Sequence, residues 1–378
     1  MSPHPRFRPD HALIAAVFFG VIAVPGLARG LDPAAASAAE EVVSCPALPR
    51  DVAEAEKWLP KAIACFNTQF AYRKPLITLN AWVHARLLGT STSSRVLVGR
   101  DRWLLYADEQ GVADFRGLKP LAPAQLQQWQ AVITRWADVL ASRHTSLIVA
   151  IMPNKPTIYP ESAPSWMTPV GPTRLDQLMP VLQGIPGLLV ADARGALRKA
   201  RSDGRPLYLR TDSHWNQLGA LEGWRAVLEQ LQIRFGPMTM PDPIGQTRTV
   251  QIRRTEAGDL ARMLTLEHVL TEDQDLAVVN PLARTAVYEE LPIDRSREPR
   301  PRVISRRHNS PIGTAVVFRD SFSEAFVPWL GEYFDRAVYV WSAQPDLDVI
   351  DREKPDVVIL EGVERWLMQI PPAPPPGP

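Results

Sequence analysis

An aspartate, a histidine and a serine make an acyl-transfer centre when the imidazole can take the hydroxyl proton and the carboxylate can hold the imidazole. Asp212, His214 and Ser321 are candidates for such a set. Asp212 and His214 stand two apart, so in an extended chain both side chains leave the same face. The carboxylate then reaches Nδ1–H, and Nε2 is left as a base. The structural alternative is that Asp212 caps the following helix and His214 packs at its start. Ser321 falls where a strand passes into a helix, a turn that exposes a hydroxyl and aims backbone N–H groups at an oxyanion. The same position suits a helix N-cap. Asn154 can offer its side-chain amide to an oxyanion or serve as the turn residue before Lys155 and Pro156. Tyr159 and Trp215 can stack on sugar rings or belong to the core. Glu361, Glu364 and Arg365 follow the last strand and read as a structural ion-pair set.

These residues matter only if the fold brings strand ends together. The runs 146–152, 188–192, 314–318, 337–341 and 356–360 are continuously apolar and rich in β-branched residues. Helical stretches such as 217–231 and 323–334 separate most of them, which predicts an α/β fold with a parallel sheet covered on both faces. In such a sheet the ligand site lies beyond the carboxyl ends of the strands. Asn154 follows the first run, Asp212 and His214 follow a short strand expected at 208–210, and Ser321 follows the run at 314–318. Leu126, Trp129, Ile133, Trp136 and Leu140 give 123–143 the three-and-four spacing of an amphipathic helix. Residues 96–106 read as a hairpin. The segment 236–310, rich in charge and proline, reads as an insertion, and 41–94 as a helical lead-in to a main domain at 95–370.

With 46% hydrophobic residues the chain can bury a large core. Its 42 basic and 41 acidic residues nearly cancel, which argues against a nucleic-acid partner. Arg6 and Arg8 precede an uncharged stretch at 12–28 and small-residue sites, the pattern of a signal peptide, with an uncleaved membrane anchor as the alternative. Either places the remainder outside the cytoplasm, in the periplasm. There Cys45 and Cys65, the sole cysteines, can form a disulfide, against the alternative of two buried thiols. No histidine or third cysteine lies close enough in sequence to suggest that they bind a metal. The proline-rich end 371–378 reads as disordered or polyproline.

The string Val98-Gly99-Arg100-Asp101-Arg102-Trp103-Leu104-Leu105-Tyr106 resembles the G-K-D-G-W-L-F-Y hairpin of the AlgJ and AlgX alginate O-acetyltransferase family. Residues 152–161, 209–216, 258–264 and 316–326 are similar to that family's later blocks, in the same order. The resemblance implies an SGNH-hydrolase-like fold with permuted motif order, the Asp-x-His element preceding the serine. It implies Ser321 as nucleophile, His214 as general base and Asp212 as its orienting carboxylate. It further implies periplasmic O-acetylation of an exopolysaccharide, alginate or similar, without metal or bound cofactor. A membrane-bound O-acyltransferase would supply acetyl groups beside other exopolysaccharide machinery. Arg319 stands where SGNH enzymes usually carry glycine, two residues before the nucleophile, and becomes a candidate substrate contact. The chain resembles AlgJ more than AlgX in lacking a recognisable carbohydrate-binding module. A carbohydrate acetyl esterase with the same triad and a non-catalytic polysaccharide-binding scaffold are the rival readings.

Overall fold

The computed structural model describes residues 16–20, 45–49, 51–69, 72–108, 110–204, 206–238, 250–277, 285–292, 300–369 and 373–374. Most of the stretch 12–28, most of the proline-rich end and parts of the 236–310 segment lie outside the described residues. Among the described residues no helix is long and apolar enough to cross a membrane. The chain divides into two units, Met1–Val83 and His84–Pro378. In the first, α1 (Val52–Gln69) is followed by α2 (Arg73–Val83), and Cys45 is disulfide-bonded to Cys65.

The second unit opens on a hairpin, β1 (Val96–Val98) and β2 (Leu104–Tyr106). Helix α3 (Pro123–Ala141) begins at a proline, whose fixed φ and missing N–H suit a first turn. Its residues Trp129, Ile133, Trp136 and Leu140 are buried, as their spacing predicts. After it come β3 (Ser146–Met152), α4 (Arg174–Gln183), β4 (Leu189–Asp192), α5 (Arg194–Ser202) and α6 (Gln217–Phe235). The charged segment that follows holds β5 (Val250–Glu256), the short α7 (Asp259–Met263), β6 (Thr271–Ala277), β7 (Val287–Glu290) and β8 (Val303–Arg306). The chain then forms β9 (Ile312–Arg319), β10 (Phe334–Trp341), α8 (Leu347–Glu353) and β11 (Val357–Val363).

The main sheet runs β4-β3-β11-β9-β10-β8-β7. The first five strands are parallel, and β8 and β7 add an antiparallel edge. The 236–310 segment therefore extends the sheet as well as interrupting the chain. Alternation along the parallel strands divides the core. Ile148, Ala150, Val317 and Ile359 pack under α5 and α6, while Leu147, Val149, Val316 and Val358 pack under α3, α4 and α8. Strand β11 enters between its parallel neighbours β3 and β9, from which the chain had moved outward to β4 on one side and to β10 on the other. Their carboxyl ends converge at that topological switch, where a ligand crevice is expected.

Two expectations change. The stretch 323–334 is not one helix. It breaks into a 3-10 turn at Phe322–Ala325, an α turn at Val327–Leu330 and a 3-10 turn at Gly331–Tyr333, and β10 starts at Phe334. Pro328 has no N–H to donate to the carbonyl of Glu324, and its ring crowds that carbonyl, which favours a break there. Residues 208–210 form no strand either: a single antiparallel bridge joins Tyr208 to Trp215 at the neck of a loop.

Helix α6 grips that loop through glycines on one face. A Cβ on Gly223 would lie 2.5 Å from Cη2 of Trp215, and one on Gly219 would collide with the carbonyl of Leu207. Trp215 is buried and cannot yield. Gly223→Ala should therefore destabilise the protein by about 1–3 kcal/mol despite alanine's better helix propensity. A denaturant midpoint equal to or above wild type would contradict this packing account.

Candidate active site

Ser321 follows β9 in helical backbone conformation at the head of the 3-10 turn, and it does not cap that turn. Its neighbour Asp320 builds the turn. Asp320 Oδ1 accepts the N–H of Phe322 at 2.7 Å and Oδ2 accepts the N–H of Val363 at 2.8 Å, so one carboxylate ties the end of β9 to the end of β11. The N–H of Asp320 donates to Glu361 Oε2 at 3.0 Å, and its carbonyl accepts from Ser323 Oγ at 3.0 Å. Burial raises the pKa of Asp320. Burial, then the neighbouring Asp320 carboxylate, drives Glu361 well above the usual carboxyl range.

Arg319, the last residue of β9, has no positive φ, so this turn does not require the glycine expected there. Its guanidinium is buried over the Trp341 ring, 4.9 Å from the centroid, and donates to the Asp320 carbonyl at 3.2 Å. It is a structural prop, not the substrate contact expected of it.

His214 meets Ser321 across 107 residues of sequence, with 2.7 Å between Nε2 and Oγ. On its other side, Nδ1 lies 2.7 Å from Asp212 Oδ1. The pair is close for a reason other than strand pleating. Asp212 Oδ1 also accepts the His214 backbone N–H at 2.9 Å, which closes an Asx turn and folds the ring back onto the carboxylate. Burial would raise the pKa of Asp212, but the hydrogen bond and charge of His214, with the N–H groups of His214 and Asp259, hold it well below the usual range. Burial likewise works against the charged imidazole, but Asp212, and then Asp259, raise the pKa of His214.

The turn is held from several sides by residues distant in sequence, none of which was assigned a role from sequence. Glu272 accepts the backbone N–H groups of Arg210 and Thr211 and the Thr211 hydroxyl. Lys155 is buried, and its Nζ donates to the carbonyls of Leu104 at 2.7 Å and Arg210 at 3.4 Å, joining the β1–β2 hairpin to the loop. Burial lowers its pKa to about 8. Asp259 accepts the backbone N–H and hydroxyl of Ser213, each at 2.6 Å. Glu272 and Asp259 both come from the segment read as an insertion.

Trp215 and Tyr159 are core residues, not exposed sugar platforms. The Trp215 indole N–H donates to the Phe322 carbonyl at 2.9 Å, joining the histidine loop to the serine turn. Tyr159 stacks on Trp103 and its hydroxyl accepts the N–H of Leu207. Asn154 directs Oδ1 to Arg365 Nη1 at 3.2 Å and borders a small pocket with Tyr106, Ser213 and Arg365. The expected ion-pair set is also rearranged: Glu361 serves Asp320, and Glu364 accepts from the N–H of Asn154 and the Thr157 hydroxyl. Arg365 stands over the rings of Tyr106 and Phe322, 5.2 Å from each centroid. Among the described residues, Asp212, His214 and Asp259 place three potential ligand atoms within 4.8 Å of one another, but as a hydrogen-bonded cluster. Their lone pairs already accept the hydrogen bonds described above. A cavity of about 700 Å³ adjoins the loop at Arg210 and Thr211, with Trp103, Tyr208, Arg102 and Glu272 in its lining.

A family model described as the SGNH hydrolase-like domain of acetyltransferase AlgX matches residues 96–292, just over half of the chain. The chain belongs to that family. The matched span holds the hairpin, Asp212, His214, Asp259 and Glu272 and stops before Ser321, which the fold then brings to the AlgX-type histidine loop. The chain is 27% identical over 214 residues to a protein of Azotobacter vinelandii named probable alginate O-acetylase AlgJ, covering 55% of this chain and 51% of that one. It is 29% identical over 181 residues to the Pseudomonas aeruginosa protein of the same name, covering 47% and 43%. The chain thus spans about half the length of the curated relatives it matches. Bacillus cereus PatB1 with a sulfonyl adduct has a similar fold, with a TM-score of 0.54 at 14% identity over 72% of this chain and 95% of that one.

The buried Glu364 gives this AlgX-type site a pH-dependent cost. Burial pushes its pKa up to about 7, outweighing the two hydrogen bonds it accepts. An unfolded glutamate ionises near 4.3, so the unfolded chain loses this proton first as pH rises, and the folded state loses stability up to about pH 7. Glu364→Gln does not titrate. Its stability relative to wild type should improve between about pH 5 and about pH 8, by up to ~3 kcal/mol. Urea midpoints at both pH values measure this, and a constant difference would contradict it.

Proposed function

We propose that this chain is an exported O-acetyltransferase that carries an acetyl group on Ser321 to hydroxyls of an exopolysaccharide, alginate or a similar polymer. The supporting observation is the unbroken line from Asp212 through Nδ1 and Nε2 of His214 to Ser321 Oγ. Membership of the AlgX-type family and relatives named alginate O-acetylases support the acetyl group and the polymer. The Cys45–Cys65 disulfide fits an oxidising compartment such as the periplasm.

In this reading His214 takes the proton from Ser321 as Oγ attacks an acetyl carbonyl, and Asp212 stabilises the imidazolium. The imidazolium returns the proton to the leaving group. His214 then deprotonates a sugar hydroxyl as it attacks the acetyl-enzyme carbonyl; the bond from the acetyl carbon to Ser321 Oγ breaks, and the imidazolium returns the proton to Oγ. The Phe322 N–H is the oxyanion donor usual after a nucleophile, but here it is committed to Asp320. Oxyanion stabilisation therefore falls to the Ser321 N–H and, in this proposal, the Asn154 amide. A membrane-bound O-acyltransferase is the proposed source of acetyl groups, beside other exopolysaccharide machinery.

Incubating the purified protein with a chromogenic acetyl ester, with and without oligosaccharide, tests the reading. Wild type should form acetylated sugar, and Ser321→Ala should lose about a thousandfold or more in kcat/KM. A sulfonyl fluoride should add to Ser321 in wild type, seen by peptide mass, and not in His214→Ala. Turnover indifferent to sugar, with no acetylated product, would establish the esterase instead. Undiminished polymer acetylation in cells carrying Ser321→Ala would establish the scaffold.

A further inference from the structure

Asp212 is not the only carboxylate at the imidazole. Asp259 Oδ2 lies 3.6 Å from His214 Nδ1, so two carboxylates from separate segments converge on one nitrogen. The approach is a close fit. The N–H of Asp259 donates to Asp212 Oδ2 at 3.0 Å, and that of Gly258 donates to Thr211 Oγ1 at 2.9 Å. A Cβ on Gly258 would collide with Asp212, so only glycine lets the chain lie against the turn here. Asp259 is the first residue of α7, where an aspartate can interact with its own helix. Its carboxylate instead turns outward to bind both donors of Ser213, the residue between Asp212 and His214.

Resting on the acyl-transfer reading above, we infer that Asp259 is a positioning residue for that reaction, a second carboxylate that fixes the His214 turn through Ser213 and adds its charge to the imidazole. It acts through His214 and does not touch the reacting atoms. The charges facing His214 include the Asp212 and Asp259 carboxylates, which favour the imidazolium, the Arg365 guanidinium, which opposes it, and the buried Asp320 carboxyl beside Ser321, which favours the imidazolium when ionised. The buried Lys155 ammonium interacts with Glu272 and with the Asp212 and Asp259 carboxylates. Of the two, Asp212 holds the imidazole proton directly. Asp259, raised by burial and by Asp212, supplies the outer share of the field.

The consequence is a sign that a merely structural role would not give. His214 must be neutral to act as base, so activity falls as pH drops through its pKa. Removing the Asp259 charge lowers that pKa and moves the acid limb of the kcat/KM profile to lower pH. Asp259→Asn should lose about tenfold to a hundredfold in kcat/KM and shift its acid limb down by about half a unit to one unit. Ser213→Ala, which keeps the carboxylate charge, should lose activity with a much smaller shift. Thermal unfolding of each variant separates loss of fold, and Asp259→Ser carries the same prediction should the asparagine variant not fold. Loss of activity with an unmoved acid limb overturns the inference and leaves the acyl-transfer reading standing. Wild-type rates in Ser321→Ala overturn that reading instead.

Discussion

The contact between Ser321 Oγ and His214 Nε2 joins two turns that no helix or strand carries directly, and the architecture around it can be understood as the means of fixing that distance. The serine turn is anchored to the sheet by Asp320, which joins the ends of β9 and β11 through two backbone N–H groups. The histidine turn is anchored by side chains, from Lys155 beneath it, Glu272 at its neck and Asp259 at its tip. Trp215 closes the loop between them through the Phe322 carbonyl. Because a displacement of about 1 Å can cost a hundredfold in rate, such bracing is what the proposed chemistry needs from the fold.

This bracing is built from ionisable groups held out of water. Asp320, Glu361, Glu364 and Lys155 are all buried near the site, where an unpaired charge would cost several kcal/mol. Two means limit the cost. Backbone donors and acceptors take up most of their hydrogen-bonding capacity, and burial shifts the pKa values toward neutral forms, upward for Glu361 and Glu364 and downward for Lys155. Glu361 Oε1 and Arg319 Nε, among the described residues, remain buried without a hydrogen-bond partner. The site thus gives up stability for placement, a common exchange at functional centres.

The physical basis of each element explains what could be read from sequence. The buried parallel strands were legible because both faces are covered, which leaves continuous apolar runs such as 146–152. Helix α3 was legible because one face alone is buried. The run 323–334 misled because nearly all of it is buried, so no polar face marks a helical period, and only Pro328 and Gly331 signal the breaks. Asp212 and His214 were identified from their types and spacing, although the Asx turn that pairs them was not, since it depends on a carboxylate binding its own backbone. Asp259 falls in the block 258–264 that carries the family resemblance, but neither it nor Glu272 was assigned a role from sequence. They lie 47 and 60 residues beyond Asp212 in a charged segment, and a carboxylate that serves a distant backbone N–H leaves no periodicity to detect.

The commitment of the Phe322 N–H to Asp320 also bears on where selectivity can arise. A histidine base poised on a serine serves water and sugar hydroxyls alike, so the triad cannot by itself favour transfer over hydrolysis. Preference for a sugar has to come from surfaces that raise its local concentration and orientation above those of bulk water. The ring faces of Trp215 and Tyr159 are spent on the core, which removes the aromatic residues that the sequence offered for that purpose. What the described surface offers instead is the cavity beside Arg210 and Thr211, where exposed guanidinium groups and the half-buried Trp103 face solvent one residue from Asp212. Sugar preference in the proposed transfer is then a property of the walls around the histidine loop, and the triad supplies chemistry that either acceptor can use.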